Sequence, residues 1–215
     1  AFARFYFLSN DELISILSQT KDPSAVQPHL RKCFEAVQKI TMSGAEHEMS
    51  EMVSAEKEQV PFLNPLYPRG SVEVWMGEIE TMMRKSVRAI TEEGIQQYKT
   101  TKRGDFVLGH AAMVVLAVTQ HYWTIEVEAA MEEAGCDGVK AYLEKMLGQM
   151  KELTQLVRTK LTKLQSKTMA ALIVMEVHTA RASNLRVTAT SLTASLTTRF
   201  PSTGRPWPTS SRSST

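Results

Sequence analysis

Cysteine is scarce in this chain. Cys33 and Cys136 are the two cysteines among 215 residues, and neither sits in a CxxC or Cys/His spacing. That excludes a disulfide scaffold and a zinc site, and the pair reads as buried free thiols of a reducing compartment. Long apolar runs are missing as well: no stretch reaches the roughly 20 residues that cross a bilayer. The opening AFARFYFLSN carries one Arg and no small-residue cleavage site behind a long apolar core, so it does not read as a signal peptide. It also lacks an initiator Met, as an internal fragment would. Acidic residues are absent from one end. Residues 179 to 215 hold five Arg and no Lys, Asp or Glu, so they carry +5 of a net +2 and leave −3 on residues 1 to 178. A mildly acidic body offers nucleic acid no electrostatic footprint. The 43% apolar and 22% charged contents are those of an ordinary globular protein long enough to bury a core.

What is present is mostly helical periodicity. The central stretch is Asp105 to Ala134. Its middle, Ala111 to Val118 (AAMVVLAV), is apolar at every position and predicts a helix covered on all sides, while Thr119 to Met131 turns amphipathic around Tyr122, Trp123, Val127 and Met131. Trp123 is expected to be buried between long helices. Ahead of it, Val72, Trp75, Met76, Ile79, Met82, Met83, Val87 and Ile90 recur every three or four residues, predicting a helix from Val72 to Lys99 about 42 Å long at about 1.5 Å per residue. Behind it, Gly135 to Gly138 (GCDG) stops the central helix, with Gly135 as a left-handed C-cap. Val139, Leu143, Met146, Met150, Leu153 and Val157 then predict a third long helix, Val139 to Gln165, and Thr168 to Val177 a further buried one.

The first third is more broken. Ser9 to Glu12 (SNDE) is a capping box that starts a short helix, Asn10 to Ser18, expected to be clasped by a strand-like lead-in, Phe5 to Leu8. Pro28 suits the first turn of a second short helix, His29 to Phe34. Three short pieces, Val37 to Met42, Glu48 to Val53 and Gln59 to Leu63, predict a small antiparallel meander. The fold class that follows is mainly α: an elongated antiparallel bundle of long helices with a small β meander near residues 37–67 and a disordered C-terminal tail. Seventeen of the 37 residues from Thr179 onward are Ser or Thr, a composition that cannot bury a core. The chain therefore divides into a helical region, 1–178, and a tail, 179–215, whose abrupt change of composition suggests a shifted reading frame or a mispredicted exon.

Chemistry-bearing motifs do not assemble. Gly104 to Gly109 (GDFVLG) has the outer spacing of a P-loop, but His110 and Ala111 stand where Lys and Ser/Thr would hold phosphate and magnesium. His110 and His121 would share a helix face yet lie about 16 Å apart along its axis, too far for one metal. His121 is expected to be an interface or hydrogen-bonded core residue. His47-Glu48 lacks the second His of a zincin helix. The methionines Met76, Met82, Met83, Met146 and Met150 read as core filling rather than as an adaptable groove. No catalytic, cofactor-binding or metal-ligating residue is assigned, and no cofactor is called for.

One stretch is more specific than composition. Arg4 to Phe34 (RFYFLSNDELISILSQTKDPSAVQPHLRKCF) resembles the linker region of dynein heavy chains, axonemal ones above all. The likeness continues through Val72 to Trp75 (VEVW), Val114 to Trp123 (VVLAVTQHYW) and Ala171 to His178 (ALIVMEVH), covering about residues 4 to 178. It implies the C-terminal part of the linker, a helical rod that arches over an AAA+ ring and changes its bend during the ATP cycle, here cut off before that ring. It also implies partners: the ring of the same heavy chain, with intermediate and light chains bound via the tail and microtubules met only indirectly, and neither nucleic acid nor membrane. The implied location is the cytoplasmic cytoskeleton, in the axoneme of a cilium or flagellum. The chain itself would not be an ATPase. Two departures stand out: Glu56-Lys57-Glu58 where many members have Glu-Gly-Glu, and the loss of the VH-A-R-D continuation from Thr179 onward. The alternative is a non-motor scaffold that binds partners through the amphipathic stripe of residues 139 to 165.

Overall fold

The computed structural model describes residues 2–18 and 23–199, with side chains as far as Asn184. Two short helices, α1 (Asn10–Ser18) and α2 (Gln27–Cys33), precede strands β1 (Val37–Ser43), β2 (Glu48–Ser54) and β3 (Gln59–Leu66). Three long helices and one short one follow: α3 (Val72–Tyr98), α4 (Arg103–Gly109) of about two turns, α5 (Ala112–Val157) and α6 (Lys163–Arg199). The sheet is an antiparallel meander in the order β1-β2-β3. Both the helical class and the meander are as the periodicity predicts.

The capping box at the start of α1 forms as read. Ser9 Oγ accepts from the Glu12 N–H at 3.4 Å, and Glu12 Oε2 accepts from the Ser9 N–H at 3.1 Å. Lys32 Nζ donates to the other Glu12 oxygen at 2.5 Å, and this bond, with that from the Ser9 backbone, lowers the Glu12 carboxyl from 4.5 to about 2. The lead-in is not strand-like: Ala3–Phe7 is a 3₁₀ turn. Nor is α1 clasped on all sides. Ile16 is buried while Ile14 and Leu17 face solvent.

Apolar side chains collect in two cores. The first joins Ile16, Leu30 and Phe34 to the sheet residues Ile40, Met49, Met52, Val60 and Phe62, and closes under Val72, Trp75, Met76 and Ile79 of α3. The second gathers Phe106, Val107, Val114, Val115, Val118, Tyr122, Leu153, Met169 and Leu172, with Ile95 and Tyr98 of α3 packed against it. Ile90 and Ala111 touch both. Helix α3 thus runs from one core into the other, and its buried Ser86 accepts the Leu63 N–H at 2.8 Å, tying the edge strand β3 to it. The other edge is held by Gln27, whose amide accepts from the Ile40 N–H at 3.0 Å and donates to the Ile40 carbonyl at 2.7 Å, so the free edge of β1 is covered.

Helix α5 is two arms of an antiparallel hairpin. Its helical dihedrals fail at Ala134 and at Gly135, where φ is 57° and ψ −131°. Lys145 Nζ reaches Glu126 Oε2 at 3.0 Å, whereas in a straight helix residues that far apart would be about 28 Å distant at about 1.5 Å per residue. Gly135 therefore takes the positive φ expected of it, in a combination that glycine tolerates and that reverses the chain. Gly138 is needed for a different reason: a Cβ there would meet the Ala130 carbonyl oxygen at 2.1 Å. Between α3 and α5 a second close approach occurs, because a Cβ on Gly94 of α3 would stand 2.7 Å from Val114 Cγ1.

Several boundaries and burials differ from the sequence reading. The central helix does not begin at Asp105. The chain breaks in extended conformation at His110 and Ala111, α5 starts at Ala112, and Glu58 Oε1 from the β2–β3 turn accepts the Ala112 N–H at 2.7 Å. The apolar octet is not covered all round, for Met113 is 42% exposed while Val114, Val115 and Val118 are buried. The third helix ends at Val157 rather than Gln165. Thr162 and Gln165 form a second capping box, Gln165 N–H to Thr162 Oγ1 at 3.2 Å and Thr162 N–H to Gln165 Oε1 at 3.0 Å, so α6 starts at Lys163 rather than Thr168. The Thr168–Val177 segment has one wet face, with Val174 57% exposed. Of the two thiols Cys33 is buried, and burial pushes it up, whereas Cys136 at the hairpin tip is only partly covered. Helix α6 continues past His178 to Arg199; the last sixteen positions of the expected tail, 200–215, lie outside the described residues.

Two predictions follow from backbone geometry. Gly138→Ala should lower the urea unfolding free energy by about 1–3 kcal/mol through its clash with a rigid carbonyl, whereas Gly148→Ala, on the second arm of α5 with open space around it, should raise it by about 0.5–1 kcal/mol. Equal effects at the two positions would mean that the hairpin is not closed as described. Lys57 sits at φ 67°, a left-handed position that costs a side-chain-bearing residue about 1–2 kcal/mol. Lys57→Gly should therefore raise the midpoint, after the extra unfolded-state entropy of glycine, by the equivalent of about 0.5–1 kcal/mol.

Candidate functional site

The residues that sequence reasoning set aside for chemistry stay apart. Gly104 and Gly109 lie within α4, not in a phosphate-cradling loop. His110 is outside α5, its ring stacked near Phe106 with Nδ1 3.0 Å from the Phe106 carbonyl oxygen. His121 is not a core residue. It is exposed and meets Tyr122 edge-on at 5.4 Å. His47 occupies the β1–β2 turn at φ 52°. Among the described residues no three His, Cys, Asp or Glu side chains gather closely enough to hold a metal ion.

The structure instead builds a polar node where α3, α4, both arms of α5 and α6 converge. Arg103, the first residue of α4, sends one terminal nitrogen to Glu176 of α6 and the other to the Tyr98 hydroxyl at the end of α3. The two charged side chains are 8% and 6% exposed. Around the guanidinium, which stands 5.2 Å from the Tyr98 ring centre, the aromatics are ordered. Tyr98 stacks on Tyr122 at 4.4 Å and 7°, and meets Phe106 edge-on at 5.3 Å. The Tyr122 hydroxyl donates to the Ile95 carbonyl at 2.7 Å. Trp123 is half-buried rather than enclosed, and its indole N–H donates to Ser183 Oγ at 3.3 Å. Ser183 is itself buried and bonds back to the Thr179 carbonyl at 3.0 Å.

This arrangement is one of fixation. Burial pushes the Tyr98 phenol above 10.0 against the opposing pull of Arg103, and burial with the neighbouring Glu126 raises Tyr142 further. Both therefore stay neutral hydrogen-bonding groups near neutral pH. No nucleophile faces a base here. The pair Arg103–Glu176 is the main feature that sequence reasoning missed, and its signal was available: a lone carboxylate inside TMAALIVMEV must find a cation if that helix is buried. Thr162-Lys163-Leu164-Gln165 was likewise a legible capping box.

Beside the node, a groove of about 580 Å³ runs between the sheet and helices α5 and α6, walled by Val37, Met52, Val60, Met113 and Leu164. Lys167 of α6 reaches across it toward Glu56 of the β2–β3 turn at 3.6 Å. Together with Glu58 on the Ala112 N–H, this is how the turn that carries Lys57 is held to the helical half.

Residues 1–94 match the family model described as dynein heavy chain, N-terminal region 2. The match ends within α3, and similarity to whole dynein heavy chains extends further. Dynein axonemal heavy chain 1 of Homo sapiens is 45% identical over 178 residues, which is 83% of this chain and 4% of the relative. Dynein axonemal heavy chain 3 of Mus musculus is 43% identical over 180 residues, 82% of this chain and 4% of the relative. Dynein axonemal heavy chain 12 of Homo sapiens is 38% identical over 180 residues, 82% of this chain and 6% of the relative. The chain thus spans a small part of the dynein heavy chains it resembles, and the family description places the matched residues in an N-terminal region.

The node yields a prediction. Glu176→Gln removes one charge of a buried pair and leaves the Arg103 guanidinium uncompensated, which should cost about 3–5 kcal/mol of unfolding free energy. Urea titration followed by circular dichroism measures it; a loss below about 1 kcal/mol would place the pair in water rather than in the interior.

Proposed function

We propose that this chain is a segment of the linker of an axonemal dynein heavy chain, from the C-terminal part of that linker. Its role is that of a mechanical lever: it takes up the conformational change driven by ATP in an AAA+ ring elsewhere in the heavy chain and does not hydrolyse ATP itself. The observation that carries the reading is 45% identity over 83% of the chain to Dynein axonemal heavy chain 1, preserved in a body whose buried polar groups fix helices rather than face a substrate. A lever needs stiffness along its length. Helix α3 supplies it by passing through both cores, and α5 and α6 by packing side by side. The partners that this reading assigns are the ring of the same heavy chain and, via the tail of the heavy chain, intermediate and light chains; microtubules are reached indirectly. The place of action is the axoneme. A free-standing scaffold that binds partners through residues 139 to 165 draws less support, since Val139, Met146 and Leu153 of that stripe are buried within the chain.

The test is a graft. Human Dynein axonemal heavy chain 1 carrying this chain in place of its matching residues should glide microtubules, and deleting those residues should abolish gliding while the ring still turns over ATP. Gliding at full speed after the deletion would refute a lever. The isolated chain should show no saturable ATP binding at micromolar concentration and no turnover; binding abolished by a Gly109 substitution would overturn the non-catalytic reading.

A further inference from the structure

We propose that the polar node contains a specific site for one buried water molecule, which bridges Arg103 and Thr119. Among the described residues, Arg103 Nε and Thr119 Oγ1 are the buried side-chain atoms that lack a hydrogen-bond partner. The two residues line the same cavity, and the Arg103 side chain and Thr119 are each more than nine-tenths buried. An unpaired guanidinium N–H in the interior is costly because the group cannot shed its charge. The other two nitrogens of Arg103 are already committed to Glu176 and Tyr98, so rotation of the fork cannot satisfy the third.

Cavity size and wall chemistry select the ligand. The volume is about 10 Å³, close to the minimum of about 10–15 Å³ that admits the centre of a single water. Cavities of this size stay dry when apolar, but here the polar residues Gln120, Tyr142, Gln149 and Glu176 are among those that line it. The ligand must accept from Arg103 Nε–H, which can only donate, and must exchange a hydrogen bond with a hydroxyl that can do either. Water, with a single heavy atom that both donates and accepts, meets those terms. An anion does not, because the Glu176 carboxylate already neutralises the guanidinium. The water ties the start of α4 to the first arm of α5 at a point where no direct side-chain bond does so, and completes the satisfaction of a node that joins four helices.

The test uses the 215-residue chain, isotopically labelled, with water–protein cross-relaxation read by NMR. A long-lived water should give a nuclear Overhauser effect to Arg103 Nε–H and to the Thr119 amide. Thr119→Val, which keeps the shape and removes the hydroxyl, should abolish that effect and lower the urea midpoint, whereas Thr119→Ser should retain both the effect and the hydroxyl's bond. If the cavity is dry, no effect appears in the wild-type chain and Thr119→Val raises the midpoint by removing an unpaired polar atom. That pair of results would overturn the proposal.

Discussion

The arrangement depends on one constraint: neither apolar core closes without α3. The sheet has one face to bury, and a three-stranded meander cannot bury it against itself. Trp75, Met76 and Ile79 cover it from the first half of α3, and Ile90, Ile95 and Tyr98 carry the same helix on to the second core. Removing apolar surface from water is worth about 25 cal/mol per Å², so a helix that serves two cores holds them to a common axis. Chain order, sheet position and the direction of α5 all follow from where α3 leads.

The polar node acts on top of that packing and has a different character. Apolar contact sets how close helices lie but tolerates rotation and sliding. A buried charge does not, because a misplaced partner leaves it unpaired at a cost of several kcal/mol. Arg103 fixes α4 to Glu176 on α6 and to Tyr98 on α3 at once, and the Tyr98–Tyr122 stack adds the first arm of α5. The node thus selects one register among the many that the apolar stripes would accept.

The link between the sheet half and the helical half is lighter. Apart from the continuous α3 and from Ala111, which packs on both cores, it includes, among the described residues, Glu58 on the first N–H of α5 and the exposed Lys167–Glu56 pair across the groove. An exposed pair of that kind is worth about 0–1 kcal/mol. Both contacts come from the turn in which Lys57 occupies a left-handed position.

Local periodicity and local punctuation determined a good deal. The helical stripes of α3 and of both arms of α5, the three short strands, the Ser9–Glu12 capping box and the chain reversal at Gly135 were legible because each rests on residues within a few positions of one another. Misplaced features have a common cause. The start of α5 at Ala112 rests on a carboxylate from Glu58, the burial of Glu176 on a guanidinium 73 positions away, and the half-exposure of Trp123 on Ser183, 60 positions away. Solvent reaches Met113 and Val174, although both lie in apolar runs, because nothing in the described fold packs over those faces. A one-dimensional pattern states which side of a helix prefers to be dry. Which helix arrives to cover it, and which charge arrives to pair with it, is decided only when distant segments meet.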